Sequence, residues 1–221
     1  ATGAFTFGDN TLSVVVPWVR KELVSLTGST VTRDQASGGG DIEVYARRQW
    51  FFSHRMAPKR HIGALAIGLK VPTGKSDAPD PETLDVMPGS GSFDALIGPS
   101  YTYDADPFSL YGSVLYRYNG EGTLGVRRGS SLLLNAVARY RLSDYVLLAA
   151  QLNGRVTAKD TLNETADEDS GGFILFGAPQ VVVRPKGKWA LRAQAQIPLV
   201  ERLFGAQRES MTLGLGASYD L

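Results

Sequence analysis

Apolar and polar residues alternate with a period of two along most of this chain, and helical spacing is poor throughout. The last segment, "SMTLGLGASYDL", puts Leu213, Leu215, Ala217, Tyr219 and Leu221 on one face. Thr212, Gly214, Gly216, Ser218 and Asp220 take the other. The segment before it repeats the scheme, with Trp189, Leu191, Ala193, Ala195, Ile197 and Leu199 opposite Lys188, Arg192, Gln194 and Gln196. The pattern predicts about ten strands, near 11–26, 41–54, 60–73, 93–104, 108–119, 130–142, 145–157, 172–184, 188–199 and 209–221. Most exceed the five or six residues usual in globular sheets, and suit a tilted strand crossing a bilayer, about 9 to 11 residues.

The connections alternate in length. Short links ("RMAPK", "ADP", "SD", "PKG") take turns with long ones ("TGSTVTRDQASGGG", 74–92, 120–129, 158–171, 200–208). This is the habit of outer-membrane barrels, whose periplasmic turns are short and whose outer loops are long. Aromatic residues agree. Trp50, Phe51, Phe52, Tyr101, Tyr103, Phe108, Tyr140, Tyr145, Trp189 and Tyr219 sit at strand ends beside short turns or at the C-terminus, while Phe93, Tyr116, Tyr118 and Phe173 lie towards the long loops. Two such bands match the interfacial girdles of a membrane barrel. The expected fold is all-β, one domain over 1–221: a transmembrane antiparallel up-and-down β-barrel of about ten strands, in contact with outer-membrane lipid and lipopolysaccharide. An even count places both termini on the short-turn, periplasmic side. Pro17, Pro99 and Pro179 fall inside predicted strands, so bulges or earlier strand ends are expected there.

If the apolar face meets lipid, the other face is charged. Glu43, Arg47, Lys70, Asp94, Asp104, Arg117, Arg139, Arg141, Arg155, Arg184, Arg192 and Asp220 fall on it, eight basic groups against four acidic. Arginine without a partner is costly in a dry core but not in a wet lumen. The candidate pore-lining residues are Glu43, Arg47, Lys70, Asp94, Arg117, Arg139, Arg141, Arg155, Arg184 and Arg192. Parity also fixes the turn in "LLLNAVARYRLSDYVLLAAQLNGRV". A two-residue "SD" loop puts Arg155 on the lipid face; a three-residue loop, Leu142 to Asp144, that pairs Arg141 with Tyr145 keeps every arginine inside, and a bulge would do the same. Long arginines could close so narrow a barrel, line an anion-favouring path, or simply solvate and stabilise the lumen, and all three readings stay open.

Composition mainly removes alternatives. At 221 residues the chain can bury a core; its hydrophobic fraction is 43% and no run approaches the roughly 18 apolar residues of a spanning helix. A net charge of +1 gives no case for nucleic acid, and the lack of cysteine excludes disulfides and thiolate sites. The opening "ATGAFTFG" has neither a basic start nor an apolar signal core, as in a chain begun past its leader. His54 and His61 flank a short turn and make a weak metal site without an inward carboxylate. "GSGSFD" at 89–94 leads into a strand and is a poor phosphate cradle. Residues 75–85 and 158–170 are acidic, match no calcium-loop spacing and are expected to be solvated surface loops. No enzyme signature, cofactor or metal is predicted.

The segments "GDIEVYARRQWF", "AIGLKVPTGKSD", "GSGSFDALIGPSYTY", "LYGSVLYRYNG" and "GGFILFGAPQVVV…ALRAQAQIPL" occur in this order from about residue 39 onwards. They resemble the outer-membrane family associated with the meta-cleavage pathway of phenol degradation, described as transporters. The resemblance implies an outer-membrane barrel, a role in uptake of small aromatic or hydrophobic compounds, and about twelve strands. Ten then means a shorter version or a further hairpin near 1–26. The final "GASYDL" resembles the terminal signal of barrel proteins, with leucine in place of the usual phenylalanine. The leading expectation is a narrow channel or transporter for small molecules. The alternatives are a closed structural or partner-binding barrel, and a soluble ligand-binding barrel whose apolar face points inwards.

Overall fold

In the computed structural model, residues 2–219 are described except 28–29, 55, 80, 85, 186–187 and 206. Side chains at 23–27, 30–32, 81 and 82 are also outside the description. The strands are β1 (Thr2–Phe7), β2 (Asn10–Val15), β3 (Trp18–Thr27), β4 (Thr30–Gly39), β5 (Ile42–Phe51), β6 (Lys59–Val71), β7 (Asp94–Ala105) and β8 (Phe108–Asn119). They continue as β9 (Val126–Arg127), β10 (Ser131–Arg141), β11 (Val146–Thr157), β12 (Thr161–Leu162), β13 (Thr165–Ala166), β14 (Gly172–Val183), β15 (Trp189–Leu203) and β16 (Thr212–Tyr219). One helical turn, α1 (Pro81–Leu84), lies in the β6–β7 loop.

Eleven strands form one antiparallel sheet in the order β1-β2-β5-β6-β7-β8-β10-β11-β14-β15-β16. Period-two alternation is the cause. One face of β6 carries Leu65, Ile67 and Leu69, which are exposed, and the other Ala64, Gly68 and Lys70, which are buried. The apolar face is open along the sheet, up to Leu215 at 90% exposure. Water does not tolerate an apolar surface of that extent, whereas lipid does. The polar face is the concave one. Arg117 on β8 pairs with Glu43 on β5 at 2.8 Å, across three strand spacings that measure roughly 14 Å on a flat sheet. The soluble alternative is therefore corrected: apolar side chains point outwards and charges inwards.

No helix of the described residues is long and apolar enough to cross a membrane. Strands β6, β7, β8, β11 and β14, of 12 or 13 residues each, have the length to do so.

The ends of the chain correct two expectations. The predicted strand 11–26 is β2 and β3, separated at Val16–Pro17, and "TVTRDQASGG", read as loop, is β4. β3 and β4 pair only with each other and carry the β2–β5 hairpin beyond the sheet. A further hairpin does lie near the start, because Gly8–Asp9 folds β1 back on β2. The count in the sheet is thus odd. Thr2 lies beside Val15 at the long-loop end, while Tyr219 lies beside Trp189 at the short-turn end. An even count with both ends at the short turns does not hold for the described residues.

Pro17 ends a strand, as expected. Pro99 and Pro179 do neither of the two things expected of them: β7 and β14 run on with unchanged register. Instead the ladder to β8 lapses at Gly98–Pro99, and the ladder to β15 at Ala178–Pro179, so each missing N–H falls where no bond is drawn. The only register shift in the β14–β15 pair lies at Leu175/Phe176, beside Pro198.

The outer face carries the aromatic bands. Phe108 and Tyr140 meet tilted at 4.8 Å between ring centres, and Trp189 and Tyr219 edge-to-face at 5.1 Å, all near the short turns. Phe93, Tyr116 and Tyr118 are exposed near the long loops. Phe51 and Tyr145 also lie at the short-turn end, but Phe51 takes the inner face by register and Tyr145 borders a cavity.

Candidate functional site

Register decides which side chains meet. All ten candidate residues fall on the inner face, and all but Arg47 gather in separate groups. At the long-loop end one row crosses five strands, Val15–Glu43–Lys70–Asp94–Asn119. Lys70 Nζ lies 2.6 Å from Asp94 and 3.6 Å from Asp41. It also donates to the Ser90 and Ser92 hydroxyls at 2.5 and 3.1 Å. Ser92 in turn donates to Asp94 at 2.8 Å. Arg117 holds Glu43, which also accepts from the Tyr45 hydroxyl. Lys70 and Asp94 are buried and fully partnered, which is the condition for keeping charge out of water.

Asp41, which the sequence reading passed over, is the hub. Its carboxylate accepts from the Gly74 N–H at 3.0 Å, and from the Ser90 N–H and hydroxyl at 2.9 and 2.8 Å. Burial pushes the carboxyl up. The Ser90 and Gly74 hydrogen bonds, with Lys70, outweigh it and hold the group below the usual carboxylate value. Three glycines make this possible. A Cβ on Gly74 would stand 2.8 Å from the Gly40 carbonyl carbon and 2.8 Å from Gly89 Cα. Backbone therefore packs on backbone around Asp41. "GGGD", "PTGK" and "PGSGS" are glycine-rich for that reason.

The β6–β7 loop is thus drawn inside. Leu84, Val86 and Pro88 are buried, and Lys21 Nζ donates to the Met87 carbonyl at 2.9 Å. The expectation of a solvated loop over 75–85 holds for the described part up to residue 79, and the burial begins at Leu84. Lys75 and Asp77 are exposed, the chain dips inside from Leu84 onwards, and Asp80, Asp85 and the Glu82 side chain lie outside the described residues. A cavity of about 260 Å³ lies against the network, lined by Lys21, Glu43, Leu84, Val126 and Arg128 among others. The 158–170 loop does keep Glu164, Asp167, Glu168 and Asp169 exposed. Asp160, however, holds Arg128 and the Gly129 N–H at 2.8 and 2.7 Å, and β12 pairs with β13 and β9.

Arg155 stands apart, 3.0 Å from Glu209, whose N–H donates to Glu201 at 2.8 Å. It borders a cavity of about 570 Å³ with Arg117, Asn119 and Arg128. Between the ends, the inner face is apolar in part. Ile174, at 0% exposure, and Phe176 point inwards. Arg47 faces inwards on β5 opposite Ala66, and Asp104 pairs with Arg60. Asp220 lies outside the described residues.

The short-turn end holds the third group. Arg139, Arg141, Arg184 and Arg192 line a cavity of about 660 Å³ together with Leu147, Gln180 and Val182. The turn before it has the three-residue length that parity required, one position later than expected: Leu142 bonds Val146, and Ser143–Tyr145 form the loop. Arg141 then pairs with Leu147, and Leu133 with Arg155. A ladder of glutamines lies just deeper, with Gln151 donating to Gln180 at 3.5 Å and Gln180 to Gln194 at 3.0 Å.

The histidines have local partners: His61 Nδ1 lies 2.5 Å from the Tyr101 hydroxyl, and the Met56 N–H donates to His54 at 3.3 Å. Among the described residues no group of three or more potential metal ligands occurs.

No family model matches the chain, and no curated protein matches it. Among solved structures, the chain is similar to an outer-membrane channel from Pseudomonas putida F1, with 16% identity and a TM-score of 0.71 over 97% of this chain and 78% of that one. At that identity the likeness speaks to the fold alone. This chain has the fold of an antiparallel outer-membrane β-barrel.

Proposed function

We propose that this chain is a narrow outer-membrane channel for small molecules, with its short turns towards the periplasm, its long loops outside and its outer face in lipid and lipopolysaccharide. The observation that carries the reading is the inner face itself. Its charges are not spread as they would be for mere solvation, but gather beside cavities at both ends of the strands, on a fold shared with a channel. In this reading Glu43, Arg47, Lys70, Asp94, Arg117, Arg139, Arg141, Arg155, Arg184 and Arg192 line the path, and none has a catalytic role. The β6–β7 loop, fastened through Asp41 and Lys70, acts as its constriction. The resemblance to the phenol-pathway family adds small aromatic or hydrophobic compounds as the solute class.

A second reading, a closed barrel that holds a partner and transports nothing, has its own observation: Ile174, Phe176, Leu96, Leu84 and Val86 fill much of the inner face towards the long loops. Liposome swelling separates the two. Proteoliposomes should swell in an isotonic small solute faster than protein-free vesicles. Correctly folded protein that leaves the rate unchanged, for every solute tried, would favour the closed barrel.

A further inference from the structure

The arginine-lined cavity at the short-turn end has a composition that pore solvation alone does not call for. Its inner rows follow from the register. The outermost is Ala190–Ser218, with Arg184 one residue past the end of β14, the next Arg141–Leu147–Val182–Arg192–Gly216, and the third Arg139–Ala149–Gln180–Gln194–Gly214. Successive rows lie about 6.6 Å deeper, two residues of strand rise. Cations therefore descend from the rim in three steps, and in the middle row two of them flank a paired Leu147 and Val182.

Among the described residues the charge is poorly balanced. Arg141 lies 3.3 Å from Asp106, and both are well exposed; Asp144 also borders the cavity. Among the described residues, no carboxylate comes within 4.0 Å of Arg139, Arg184 or Arg192. Like charges collected round one concave surface repel, and an anion entering between them relieves that repulsion. The backbone leaves room for the guanidinium: a Cβ on Gly216 would stand 3.3 Å from Arg192 Nη2 and 3.4 Å from its Nε. Arg192 thus lies along the glycine strand β16 with its fork free to take a planar acid group. Beside it, Leu147 and Val182 offer an apolar floor.

From this we infer that the cavity is a binding site for an organic carboxylate with an apolar body, the acid group held by Arg192 and Arg139 and the body laid on Leu147 and Val182. Its volume of about 660 Å³ accommodates such a molecule with water to spare. Such a ligand would be a solute class for the channel proposed above, and its passage rests on that reading. Binding itself is testable without it.

The experiment is calorimetric titration of the full chain in lipid nanodiscs with hexanoate, acetate and hexan-1-ol, with heat-modifiable gel mobility as the check of folding. Hexanoate should bind saturably, and more tightly than acetate, which lacks the body, or hexanol, which lacks the charge. Arg139→Gln with Arg192→Gln should weaken it about tenfold, as expected for two charge-assisted bonds in a wet site. Arg192→Lys keeps the charge and loses the fork, and Gly216→Ala displaces the guanidinium; each should weaken hexanoate by about threefold. If hexanoate binds the double variant as it binds the parent, the site is wrong. If acetate or hexanol binds as tightly as hexanoate, the assigned ligand class is wrong. A barrel that binds hexanoate but swells no liposome refutes passage and leaves the site standing; one that swells liposomes without binding hexanoate does the reverse.

Discussion

Lys70 shows why a charged residue in a strand pattern need not be a fault. Its ammonium lies between Asp94 and Asp41 with two serine hydroxyls completing its shell. Removing it leaves a buried carboxylate with no cation. Lys70→Met should therefore cost about 3 kcal/mol in urea unfolding from lipid vesicles. Lys70→Met with Asp94→Asn should recover a good part of the loss, and a single variant as stable as the parent would refute the network's role. Asp41 adds a pH dependence with a definite sign. Its folded value lies below the ordinary 3.8, so its contribution is complete above 3.8 and is lost as pH falls through the lowered value. Fluorescence of a probe on Ser76→Cys should report the β6–β7 loop as fixed at neutral pH and released only in that acid range. Release between pH 5 and 7 would point to another group. The inward places of Arg139, Arg141 and Arg155 were legible because period-two parity is local. The hub at Asp41 was not, since it gathers residues 41, 70, 74 and 90 through backbone contacts that no periodicity records.

At the scale of elements, strands β5 to β15 of the sheet lie where alternation put them, within a few residues, and the loops are where reading failed. "TVTRDQASGG" is polar and glycine-rich because β4 pairs with β3 beyond the sheet and has no lipid face to cover. Likewise the acidic run 158–170 contains β12 and β13, two-residue strands too short to leave a pattern. Proline placement is finer than the rule that confines it to edges. Gly98–Pro99 sits where β7 and β8 approach without bonding, and a Cβ on Gly98 would stand 2.2 Å from the Val114 carbonyl oxygen. That neighbour is backbone and cannot swing aside. Gly98→Ala should destabilise the β7–β8 pair by about 2 kcal/mol, read as a lower urea midpoint. An unchanged midpoint would mean that the strands part more easily than this packing implies.

For the whole molecule, the amphipathic sheet and the alternation of short turns with long connections were enough to give an outer-membrane barrel, because a bilayer imposes both. The odd count of eleven strands in the sheet of the described residues was not legible, since β1 is six exposed residues with no buried face to mark it. Nor does parity alone say how the interior is filled, which is where a channel and a closed barrel part. In the proposed channel the β6–β7 loop, tied down by Asp41 and Lys70, limits flow at the long-loop end, and the arginine cavity favours anions at the other. Recording in planar lipid bilayers tests that most directly. A channel of this kind should give discrete conductance steps with a reversal potential showing preference for chloride over potassium, and larger or more frequent steps in Lys70→Met. Folded, inserted protein that gives no steps in either form, at any voltage the bilayer survives, would contradict it.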